Sequence, residues 1–114
     1  MTLFQYRMIF WLAFIISCFG FFSEVEQGPV LFSHFDKVMH FGVFAVLTLL
    51  FQKGFGLNWK IGLALAVIYG AAVEIIQGAF AGRQASFGDW VADILGAIAA
   101  LYVLYVLNRK QVEQ

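Results

Sequence analysis

Residues 61–81 read IGLALAVIYGAAVEIIQGAFA, an apolar run interrupted by one ionisable side chain, Glu74. A helix needs about 20 residues, rising about 1.5 Å each, to cross the hydrocarbon core of a bilayer. This run is long enough, and three more accompany it. The first covers residues 8–22, between Arg7 and Glu24. The second covers residues 38–51, between Lys37 and Lys53. The last covers residues 90–107 and carries Asp93. As a helix of uncharged residues the second run reaches only about 22 Å. To cross, it must extend outward through Lys37 and Asp36, which sets both side chains at the edge of the hydrocarbon. The predicted helices are therefore 8–22, 36–52, 61–81 and 89–107.

Composition leads to the same class. Of 114 residues, 62% are hydrophobic and 12% charged, with a mean hydropathy of +0.85. A soluble domain is closer to half apolar and a quarter charged. So few charges cannot clothe a water-facing surface, so much of this surface faces lipid. The expected fold is all-α: an integral membrane bundle of four transmembrane helices forming a single domain, residues 1–114. Zero net charge implies neither nucleic acid nor an acidic membrane surface as partner. The one cysteine, Cys18, excludes an internal disulfide and reads as a small buried hydrophobe. Ile15-Ile16-Ser17-Cys18 loosely resembles a lipoprotein cleavage site, which would make the first run a signal peptide. A single positive charge before it, and the aromatics crowded between Phe10 and Phe22, oppose that reading.

Lys and Arg in short loops set orientation. Arg7, Lys53, Lys60, Arg109 and Lys110 fall on one side, Lys37 and Arg83 on the other. Both termini are therefore expected in the cytoplasm, with Trp59 and Trp90 as interfacial aromatics.

The polar residues are unevenly placed. Asp36, Lys37, His40, Glu74, Gln77, Arg83, Ser86, Asp89 and Asp93 come from three helices and one loop, yet all map to the outer half of the slab. Helical spacing groups them further. Asp36 and His40 share a face. Glu74, Gln77, Gly78 and Ala81 share another, with Gly70 one turn away. Asp89, Asp93, Gly96 and Ala100 form a stripe whose small residues let helices approach closely. An ionised carboxylate in hydrocarbon costs about 3 kcal/mol. Glu74 and Asp93 must therefore point inward, be protonated, or pair with Lys37, Arg83 or His40.

Each residue also has a structural reading. Ser86 and Asp89 fit a Ser-x-x-Asp capping box. Asp36 is a favourable first-turn acid, and Lys37 can snorkel to the headgroups. Arg83 can anchor on lipid phosphate or pair with Asp89. His40 is a candidate general base or a hydrogen-bonded packing residue. Glu74 and Gln77 sit mid-helix, where capping offers no explanation. A metal trio of His40, Glu74 and Asp93 has one His and lacks His-Glu-x-x-His spacing, so no metal or cofactor is inferred.

Taken in order, Asp36-Lys37-Val38-Met39-His40-Phe41, Glu74-Ile75-Ile76-Gln77, Arg83 with Ser86 and Asp89, and Asp93-x-x-Gly96 resemble the VanZ-like family of small bacterial membrane proteins. The likeness covers residues 36–100; the first helix matches only as a hydrophobic span. The family pattern leads one to expect Asn where Asp93 stands. The resemblance implies a bacterial inner-membrane, multi-pass protein of the cell envelope, in a family whose named member is linked to resistance to the glycopeptide teicoplanin.

Two functional readings stay open. In one, the chain binds a lipid-linked molecule, such as a cell-wall precursor, or a glycopeptide at its outer face. Lys37 and Arg83 would meet anionic groups there, with Gln77, Ser86, Asp89 and Asp93 completing the pocket. In the other, it is an intramembrane hydrolase or transferase acting on a lipid or polyprenyl-linked substrate. His40, oriented by Asp36 or Glu74, would be the general base, and Ser86 the one well-placed hydroxyl. Four helices leave little room for a proton-coupled transporter. Membrane lipids are expected partners, and the small-residue stripe would also suit a homo-oligomer.

Overall fold

The computed structural model describes residues 1–22, 35–79 and 86–113. These form four helices: α1 (Leu3–Phe22), α2 (Phe35–Phe55), α3 (Trp59–Ala79) and α4 (Phe87–Glu113). Each is long and apolar enough to cross a membrane, so the chain is a multi-pass membrane protein.

Local chemistry fixes the helix ends. At α1, Gln5 N–H donates to Thr2 Oγ1 and Thr2 N–H to Gln5 Oε1, at 3.1 and 2.9 Å, a reciprocal capping box. At α3, Lys60 N–H donates to Asn58 Oδ1. α2 continues through Gly54 and Phe55, beyond the expected end at residue 52. The break comes at Gly56, whose φ of 62° suits a residue without Cβ. Arg7 Nε donates to the Gly54 carbonyl at 2.7 Å, so α1 begins at Leu3 and carries its arginine as a cap for α2. α2 does extend back through Lys37 and Asp36, as its short apolar run required.

The outer surface is apolar. Leu12, Ile16, Phe19, Ile68, Ile75, Leu95 and Tyr102 are all exposed, as lipid contact demands. With lipid on one side and side chains on the other, helices associate through close packing rather than hydrophobic expulsion. The closest pair is α2 with α4. A Cβ on Gly96 would lie 3.0 Å from the carbonyl carbon and 3.1 Å from the Cα of Phe41, so glycine sets the crossing distance. Phe21, Phe44, Ala66, Val73 and Ala97 form the core between the helices.

α1 and α3 touch each other sparingly. Between them lies an apolar groove of about 430 Å³, floored by Phe44, Leu47, Thr48 and Phe51 of α2 and walled by Phe14 of α1 and Tyr69 and Ala72 of α3.

Candidate functional site

One turn of α2 beyond the groove, the polar residues of α2, α3 and α4 meet. His40 is buried, its ring stacked on Phe21 of α1 at 4.8 Å between centroids. Its Nδ1 lies 2.8 Å from Asp93 Oδ1. Glu74 Oε1 stands 3.9 Å from the same nitrogen, and Asp89 Oδ2 stands 3.7 Å from Nε2. The last two distances are ion-pair separations, too long for hydrogen bonds. With Asp93 ionised, Nδ1–H donates to it and Nε2 is the nitrogen left for other work.

The start of α4 joins this cluster through its cap. Asp89 N–H donates to Ser86 Oγ at 3.2 Å, the forward half of the capping box. In a complete box the acid three residues on would accept from the N–H of Ser86. Here that N–H goes to Glu74 Oε2 at 2.8 Å. Glu74 of α3 thus replaces Asp89 in the cap, which frees the Asp89 carboxylate to accept from Lys37 Nζ at 3.3 Å and to face His40.

Asp93 is fully buried and Glu74 is 7% exposed. Among the described residues, nothing donates a hydrogen bond to Asp93 Oδ2 or Glu74 Oε1. Gly70 gives Asp93 its room, since a Cβ there would lie 3.0 Å from Oδ2. Such oxygens cost free energy unless something compensates them.

Not every predicted residue joins. The Asp36 side chain is 60% exposed and lies 3.9 Å from Lys37 Nζ, so it is peripheral rather than an orienting partner of His40. Gln77 is buried, but its amide donates to the Phe21 carbonyl of α1 at 2.9 Å, tying α3 to α1. Gly78, grouped with it by spacing, is exposed. Ser86 spends its hydroxyl on the cap. Trp90 turns inward, its indole N–H donating to the Val67 carbonyl at 3.2 Å. Arg83 and Ala81 lie outside the described residues.

Sequence reasoning missed the contribution of α1 to the site. Besides Phe21, Ser17 Oγ and Tyr69 Oη lie 2.8 Å apart, with Cys18 Sγ 3.4 Å from the same hydroxyl. No ionisable residue of α1 pointed to these contacts; a serine repeating the Phe14 and Phe21 spacing was the available signal.

These features define the class: a four-helix membrane protein with an acid–histidine cluster held inside the bundle. The chain belongs to the VanZ/LLP1 family, whose sequence profile matches residues 1–108, extending the likeness across α1. It is also 30% identical over 111 residues to an uncharacterized protein of the fission yeast Schizosaccharomyces pombe, covering 93% of this chain and 66% of that longer relative. No solved structure matches.

Proposed function

We propose that the chain binds a membrane lipid or lipid-linked molecule, its hydrocarbon in the groove between α1 and α3 and its polar head at the His40–Glu74–Asp89–Asp93 cluster. The observation that carries this reading is the adjacency of the two. Phe44 lines the groove, and His40, one turn earlier on the same helix, centres the cluster. Lys37, with its side chain 37% exposed, stands at the outer edge where a headgroup would arrive. In this reading both termini are cytoplasmic and the cluster opens away from the cytosol.

An ordinary membrane lipid is the broader form of the proposal, and similarity to a yeast protein suits it. A cell-wall precursor or glycopeptide in a bacterial inner membrane, with a part in teicoplanin resistance, is the narrower form. The test is mass spectrometry of lipids retained by the purified chain, wild type against Glu74→Gln. The proposal expects a species specific to the wild type. Identical lipid profiles would count against it.

One observation favours catalysis as a second reading. The 2.8 Å contact between His40 Nδ1 and Asp93 is how a carboxylate orients a general base. Ser86 is occupied by the cap, so water would be the nucleophile. Retained lipid binding with loss of a cellular phenotype in His40→Gln would select this reading.

A further inference from the structure

The cluster is over-supplied with acid. Three buried carboxylates, Glu74, Asp89 and Asp93, face two basic groups, His40 and Lys37. With all three ionised and both bases protonated, one negative charge would stay uncovered among the described residues. An uncompensated charge is expensive in a medium of low dielectric.

The arrangement of atoms shows what would cover it. One donor atom from each of His40, Glu74 and Asp89 lies within 4.8 Å of the other two, and all three residues are buried. Ligand atoms about 2.0–2.2 Å from an ion sit roughly 3–3.5 Å from one another, so side-chain rotation closes the set. Glu74 Oε1, 3.9 Å from Nδ1, is buried and accepts no hydrogen bond from the described residues. Asp93 holds the opposite side of the imidazole, at Nδ1. A carboxylate on one ring nitrogen orients the other toward a metal and makes it more basic. Asp89 uses Oδ1 for Lys37 and turns Oδ2 toward His40 Nε2, so the ammonium and an ion can share this carboxylate through different oxygens.

We propose that His40, Glu74 and Asp89 bind a divalent cation of the zinc or manganese class, with Asp93 positioning the imidazole. One imidazole and two carboxylates suit these ions, whereas thiolate-seeking metals find no partner in the set. Three protein ligands leave coordination positions for water or for an oxygen of a bound molecule. This trio differs from the His40, Glu74 and Asp93 set that was weighed and set aside on sequence: in the proposed site Asp93 belongs on the far side of the ring, and Asp89 takes its place.

The test uses the full chain in detergent, stripped with chelator and titrated separately with zinc chloride and manganese chloride in a calorimeter. Circular dichroism checks helix content in every variant. At least one of the two ions should bind at about one per chain. Glu74→Gln and Asp89→Asn should each weaken binding at least about tenfold. Asp93→Asn, acting through the imidazole, should weaken it by about 10–100-fold. Lys37→Gln should tighten binding by removing a competing cation, a gain that misfolding cannot mimic. A wild-type chain that takes up neither ion, or equal affinity in Glu74→Gln, overturns the proposal. If that chain still retains its specific lipid, the lipid reading survives the failure.

Discussion

His40 of α2 and Asp93 of α4, 53 residues apart in sequence, meet at 2.8 Å between Nδ1 and Oδ1 in the interior of the bundle. The contact joins the two helices that pack most closely, at the level where Gly96 admits the Phe41 backbone. It organises the cluster, because it takes Nδ1 and leaves Nε2 as the imidazole nitrogen that faces Asp89.

Removing one partner of this pair strands the other. Asp93→Ala should lower stability in detergent by about 1–3 kcal/mol, the cost of leaving a buried polar group unpaired. Asp93→Asn keeps an acceptor for the Nδ1–H and should cost less than about 1 kcal/mol. Unfolding followed by circular dichroism separates the two; equal losses would mean that the hydrogen bond carries no weight.

The α2–α4 crossing rests on Gly96. Gly96→Ala should destabilise by about 1–3 kcal/mol, because the obstruction is Phe41 backbone and cannot rotate away. Gly42→Ala is the control, since nothing lies within 4 Å of the added methyl. It should be neutral or stabilising by up to about 1 kcal/mol, the helix-propensity gain. Midpoints of thermal unfolding for the two variants should move in opposite directions or diverge clearly.

Glu74 both caps α4 and supplies charge, and two substitutions separate these roles. Glu74→Gln retains an oxygen for the Ser86 N–H and should stay within about 1 kcal/mol of wild type. Glu74→Leu removes the acceptor and should lose about 1–3 kcal/mol. Ser86→Ala, which loses the other half of the cap, should cost about 1 kcal/mol. Chemical unfolding in detergent ranks the three.

How far the sequence carried these conclusions varies by element. The four helices were legible because the apolar runs are long and the breaks between them polar. The short second run even required the extension through Lys37 and Asp36 that α2 shows. Convergence of His40, Glu74, Asp89 and Asp93 was legible from helical spacing joined to the cost of burying charge. Helix ends were less so: Arg7 looked like an ordinary boundary charge, whereas it caps α2 through the Gly54 carbonyl. Asp36 was misassigned because a shared helix face does not say how far from the axis end a side chain stays buried. Gln77 and Asp89 needed the fold, since their partners are a backbone carbonyl of α1 and a lysine displaced from any simple spacing rule.

The groove yields a prediction that leaves the cluster untouched. Ala72 lines its wall, so Ala72→Trp should fill part of the space while exposing the extra surface to lipid. Helix content should be retained, and lipid specific to the wild type should fall at least about tenfold. Undiminished retention, measured by mass spectrometry of the purified chain, would separate the groove from the cluster.

A double-mutant cycle on His40 and Asp93, read as unfolding free energy for His40→Ala, Asp93→Ala and the pair together, asks most directly whether these side chains form one coupled unit. Coupling above about 1 kcal/mol is the predicted result. Losses that add to within about 0.5 kcal/mol would contradict it, and with it the cluster on which the functional reading stands.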